Sequence, residues 1–177
     1  VTVFYERATS YLRSMTSTPV EYLPMCYPYS YVKNNWRKGI GNPIKNIIIP
    51  GNVWNNEPGG KRDDIGSCRI ACLIAEKHPD VRIHLMDRKI HNETKESAGM
   101  IISLYDKAHS TDIMNITTLY DSKIWKDFLA FASNKDLSIH WDWIYTTGRM
   151  AADMAALGVP HIGGNSDHAE HFFPELS

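Results

Sequence analysis

The hydrophobic positions of this chain change rhythm after the stretch "CYPYSYVKNNWRKGIGNP". Beyond it, short continuous apolar runs alternate with longer stretches in which apolar residues recur every third or fourth position. "IKNIIIPG", "VRIHLMD", "IMNITTLY", "LSIHWDWIY" and "PHIGG" are the short runs. Runs of that kind predict strands buried on both faces. Between them lie four helical patterns: "DDIGSCRIACLIAEKHPD", "ESAGMIISLYDKAH", "DSKIWKDFLAFASNKD" and "TGRMAADMAALG". The first has acidic residues in its opening turn and Lys77, His78 and Pro79 at its end, as the helix dipole and proline rules favour. The third has Asp121 or Ser122 as an expected cap. The last stops at Gly158.

This alternation predicts an α/β fold, a doubly wound parallel sheet of Rossmann-like kind. Upstream, "VTVFY" reads as a strand, "ERATSYLRSM" as a helix and "VEYLPM" as a second strand. The stretch that follows is rich in aromatic residues, proline, glycine and asparagine. It reads as poor helix and poor strand, hence as a connection. The expected organisation is therefore 1–26 as the end of one domain, 27–45 as a linker and 46–177 as the main α/β unit.

Composition narrows the function classes. The chain has 177 residues and a formal net charge of −1, which gives no electrostatic case for nucleic acid or an anionic membrane. No apolar run approaches the ~20 residues needed to span a bilayer. The chain begins at Val1 without a signal-peptide pattern, and it reads as a fragment of something longer. Cys26, Cys68 and Cys72 form no C-x-x-C pair and read as buried, reduced thiols in a cytoplasmic protein. Cys68 and Cys72 are expected on a helix face shared with Ile65 and Ala75. The N-x-T matches at Asn92 and Asn115 are then chance.

In doubly wound sheets, ligands sit outside the carboxyl ends of the strands. The candidate chemistry lies in the loops expected there. "YTTGR" offers Thr146 or Thr147 as a helix cap, Gly148 for close approach and Arg149 as a cation at the helix start, which suits a phosphate. A capped helix with a surface arginine fits the same residues. Gly163, Gly164 and Asn165 offer a second set of amides, or a tight turn. Asp153 is a carboxylate among Ala, Met and Leu, one turn into its helix, suited to a ribose diol or to a solvent face. "DHAEH" places Asp167, His168, Glu170 and His171 together, but without H-E-x-x-H spacing no metal site is assigned. Gly59 and Gly60 lack P-loop spacing.

In order along the chain, these features resemble the C-terminal, donor-binding half of a GT-B glycosyltransferase, with the retaining family-4 enzymes nearest in pattern. That family carries an acid, seven residues, then Glu-Ala-Met-Ala-x-Gly-x-Pro-Val-Ile. "DMAALGVPHI" is similar to the second half, with Asp153 where the family has a ribose-binding glutamate. "IPGNVWNNEPGGKRDD" resembles the family's first strand and diphosphate loop, and the likeness runs from Asn46 to Glu175. Three positions depart from the pattern. Tyr145 stands in place of the first acid, Asn52 in place of an arginine, and Asp167–His168 in place of a glycine pair before the final acid, close to Glu170.

The resemblance implies a hexosyltransferase-type enzyme that binds a nucleoside-diphosphate sugar, without a cofactor or metal, for an acceptor the sequence does not identify. It assigns Arg149, Lys61 (or Arg62) and the Gly163–Gly164 amides to the phosphates and Asp153 to the ribose. Tyr145 would lie against the sugar or ribose. Asn52, Thr147, Gly148, Asn165 and Glu170 complete the expected donor site. An N-terminal domain of the same protein would supply the acceptor side, and residues 1–26 resemble its end. Tyr27, Tyr29, Tyr31 and Trp36 read as interdomain packing, or as a stacking surface for a base or acceptor. The alternatives are a non-catalytic nucleotide- or sugar-binding module of the same fold, and another sugar-nucleotide enzyme such as an epimerase.

Overall fold

A computed structural model describes residues 2–3, 6–23, 26–37, 43–50, 64–87, 98–121, 123–141, 148–164 and 166. At its centre is Asn46–Ile49 (β3), a strand whose three isoleucines are fully buried. Arg82–Asp87 (β4) pairs with it on one side and Leu137–His140 (β6) on the other, both parallel. Thr117–Asp121 (β5) and His161–Gly163 (β7) complete a five-stranded, all-parallel sheet in the order β5-β4-β3-β6-β7.

Alternation along each strand sends side chains to opposite faces, so each face needs its own cover. Ile47 and Ile49 join Ile83, Leu85, Leu137 and Ile139 on one face, against Asp64–Lys77 (α3) and Ala98–His109 (α4). Ile48 and Met86 lie on the other face with Tyr29–Trp36 (α2), Trp125–Ala132 (α5) and Arg149–Leu157 (α6). The sheet is doubly wound, as the alternating pattern implies.

The rim at the amino ends of the strands is held by one carboxylate. Asp136 accepts hydrogen bonds from the Lys45 and Asn46 amides and from the Asn46 side chain, which fixes the start of β3 against the turn into β6. Asn46 Oδ1 lies 3.0 Å from His84 Nε2, and His84 Nδ1 lies 3.1 Å from the Tyr120 hydroxyl. Because the Asn46 amide nitrogen is already given to Asp136, Asn46 Oδ1 accepts and His84 donates through Nε2. Burial, helped by Lys135, lowers the His84 pKa to about 4, which favours the neutral ring with Nδ1 accepting from Tyr120, and a polar row crosses β3, β4 and β5.

Several local expectations change. The run "IMNITTLY" divides into a 3-10 turn, Ile113–Ile116, and the strand β5. Asp106 explains the division: its carboxylate accepts from the Ile113 and Met114 amides and the Thr111 hydroxyl, capping the turn before the strand can start. Burial works against that charge, but the three hydrogen bonds outweigh it and hold the Asp106 carboxyl below the ordinary value. Asp121 ends β5 instead of capping α5, whose N-cap is Ile124 with no side-chain cap.

The connection after Cys26 contains α2, an eight-residue helix. Tertiary packing overrides its weak propensity, since Val32 is fully buried and Tyr27, Tyr29 and Trp36 pack in the same layer as α5 and α6. Tyr31 is 46% exposed, edge-on to Trp36. Cys68, Cys72 and Ala75 are buried in α3, but Ile65 is 61% exposed and Cys26 is exposed. Ile65 lies in the first turn of α3, where its side chain points away from the sheet.

The first residues form a two-stranded sheet of their own. Thr2–Val3 (β1) pairs in parallel with Glu21–Tyr22 (β2), and Glu6–Met15 (α1) connects them. Among the described residues, no helix is long and apolar enough to cross a membrane.

Replacing Asp106 by alanine frees three donors at once and should destabilise the chain by about 2 kcal/mol. Urea unfolding followed by circular dichroism tests this, and an unchanged midpoint would show that water replaces the carboxylate at no cost.

Candidate functional site

The strand order fixes where a ligand site belongs. From β3 the chain moves outward to β4 and β5 with α3 and α4 on one face. It then returns to β6 and β7 with α5 and α6 on the other. The helices after β3 and β6 thus lie on opposite faces of neighbouring strands, the arrangement that in doubly wound sheets places a ligand crevice at the carboxyl ends. One hydrogen bond joins the two elements at this end of the sheet. Trp141, just past β6, donates its amide to Ser67 Oγ in the first turn of α3, at 2.9 Å. Ser67 is fully buried. The start of the helix after β3 is thereby tied to the exit of β6.

The helix after β6, α6, begins at Gly148, which takes φ 68° in the left-handed region. A residue with a Cβ is strained there, so the glycine serves the backbone turn. It is the N-cap residue, and Thr146 and Thr147, the expected caps, lie outside the described residues. Arg149 follows, exposed, on the first turn. Its charge favours ionised Asp153 one turn further in.

Asp153 is 2% exposed, so it faces the interior of the α2–α5–α6 layer and not a solvent face. Its Oδ1 accepts two hydrogen bonds, from the Tyr27 hydroxyl at 2.6 Å and from Trp125 Nε1 at 3.0 Å. The two donor rings meet edge to face, 6.5 Å apart. Burial pushes the Asp153 carboxyl above its ordinary value, against the opposing pull of Tyr27, Trp125 and Arg149. Burial and the adjoining carboxylate also push the Tyr27 hydroxyl upward, so it stays a donor.

Beyond β6, the edge strand β7 carries Gly163. A Cβ there would collide with the His161 ring and stand 2.9 Å from the His140 carbonyl. Close packing therefore requires this glycine, whatever its amide does. His161 Nδ1 lies 3.2 Å from Ser138 Oγ on β6, and burial lowers the pKa of His161 to about 4. Gly164 follows the strand, partly buried.

Of the expected donor-site residues, the structure describes Gly148, Arg149, Asp153, Gly163 and Gly164. Tyr145, Thr147, Lys61, Asn52, Asn165 and Glu170 lie outside the described residues, as do Asp167, His168 and His171. Gly148, Arg149 and Asp153 share the first two turns of α6, while Gly163 and Gly164 sit at the end of the neighbouring strand. Three residues now stand out that no motif signalled. Tyr27 reaches Asp153 across 126 positions of sequence. Trp125 and Ser67 supply polar atoms from the first turns of α5 and α3. The available hint was a buried-type helix with one carboxylate in it, which requires donors from elsewhere.

The histidines make a pH prediction. Burial and the nearby Lys135 lower the pKa of His84 to about 4, against the pull of Asp136, and burial alone does the same to His161. Below about pH 6.5 the unfolded chain takes up protons that the folded chain refuses, so stability is full above that pH and falls toward pH 4. The loss at pH 5 should be on the order of 1 kcal/mol per histidine after solvent screening, partly offset by Asp153, whose shift runs the other way. Urea midpoints at pH 7 and pH 5 measure it. His161→Asn should flatten the profile, and a profile equally steep without either ring would rule these histidines out as its source.

Searched against known proteins, the chain matches no family model and no curated protein.

Proposed function

We propose that the chain is the donor-binding half of a GT-B-type glycosyltransferase and holds a nucleoside-diphosphate sugar in the crevice between β3 and β6. The observation that carries this reading is the strand order, β5-β4-β3-β6-β7, with its reversal at β3 and β6. Sheets of that order bind nucleotides at the reversal, where helix starts present unpaired amides and positive dipole ends. The sequence supplies appropriate groups for the same place. Gly148 and Arg149 open α6 there, and the residues from Asn52 to Lys61 follow β3 directly.

In this reading Arg149, Lys61 and the Gly163–Gly164 amides hold the diphosphate, Asp153 holds the ribose, and Tyr145 lies against the sugar or ribose. Asn52, Thr147, Asn165 and Glu170 line the rest of the site. Holding the leaving diphosphate with fixed amides and cations polarises the bond to the sugar, which is the chemical contribution expected of this half. The acceptor would come from another domain.

Calorimetric titration with UDP, GDP, ADP and CMP, with and without magnesium, tests the reading. One nucleotide should bind selectively. Arg149→Ala should weaken it without changing thermal stability, because Arg149 is exposed. Asp153→Ala should weaken it about 10-fold or more, the effect of losing a charge-assisted hydrogen bond. Binding of none of the four would overturn the proposal, and unchanged affinity in Asp153→Ala would remove Asp153 from the ribose.

A further inference from the structure

Asp153 presents a chemical contradiction if it is to meet a ribose. It stands one turn inside the helix that follows β6, on the ligand side of the sheet, yet it is 2% exposed and already holds two donors on one oxygen. The two donors differ in how they are carried. Trp125 belongs to the first turn of α5, a helix whose Phe128, Leu129 and Ala132 are buried in the core. Tyr27 precedes α2 in irregular chain, between exposed Cys26 and Pro28, and is itself only partly buried. The Tyr27 group is a hydroxyl, the same donor type that a ribose diol offers to a carboxylate.

We infer that Tyr27 is a built-in stand-in for a ribose hydroxyl: it occupies Asp153 in the unliganded chain and is displaced when a nucleotide binds, while Trp125 stays in place. The inference rests on the proposed nucleotide site and adds a competition to it. An occupied carboxylate is kept satisfied and dry until the ligand arrives, and the ligand's affinity is lowered by the strength of the contact that it replaces. Tyr27 is thus a positioning residue of the empty state and not a ligand of the nucleotide.

The sign of one substitution separates this from a plain structural tie. In the 177-residue chain, Tyr27→Phe keeps the ring and removes only the hydroxyl. UDP, GDP, ADP and CMP are titrated calorimetrically into wild type and Tyr27→Phe. The stand-in predicts tighter binding of the same nucleotide by Tyr27→Phe, by about 5- to 10-fold, despite a lower melting temperature. Equal or weaker binding by the variant, with wild-type binding intact, overturns the stand-in and leaves the nucleotide site standing. Binding by neither protein overturns both. Should Tyr27→Phe fail to fold, wild type labelled with 13C at its tyrosine rings gives the answer by NMR. Saturation with the bound nucleotide must move the Tyr27 ring resonance to that of a solvent-exposed tyrosine, and an unmoved resonance overturns the stand-in.

Discussion

A parallel sheet has no solvent face, and in this chain that constraint converges on the four residues of β3. Ile47 and Ile49 must be covered from one side and Ile48 from the other, and all three reach complete burial. Everything else follows from meeting that demand. The helices after β3 and β4 cover the first face, and the helices after β5 and β6 cover the second. The point where the winding changes direction lies between β3 and β6, so the strand that most needs burial also borders the candidate site. Core and candidate site are therefore one arrangement, joined physically by the bond from Trp141 to Ser67.

The strands and helices were legible because each has the apolar period of its kind. "IKNIIIPG" has the continuous apolar run typical of a strand buried on both faces, and the end of α6 at Gly158 was marked by a residue that accepts φ 73°. Legibility failed where a distant group decides local structure. Nothing near "IMNI" announces that Asp106 will capture its amides, and the asparagine- and proline-rich run before β3 gives no sign that α6 will hold eight of its residues as helix. The site divides in the same way. Gly148 and Arg149 are readable as a helix start, but the partners of Asp153 are not, because one of them comes from the far end of the chain.

Polar groups inside this fold are few and strongly placed. Asp136 fixes the amino-end rim, Asp106 the entry to β5, and Asp153 the junction of α2, α5 and α6. The first two have backbone amides among their partners. Asp153 has only side-chain donors on the bonded oxygen, and burial pushes its carboxyl upward.

The three cysteines give the molecule a convenient asymmetry. Cys68 and Cys72 are sealed in the α3 core, and burial with the nearby Asp106 and Glu76 carboxylates pushes the Cys72 thiol up to about 12, so neither offers a thiolate to a reagent. Cys26 is exposed and adjoins Tyr27. A maleimide dye added to the folded chain should therefore label one position, without any engineered cysteine. That position is next to the Tyr27 hydroxyl that we propose is displaced, so the native sequence already carries the attachment point for a fluorescent reporter of it.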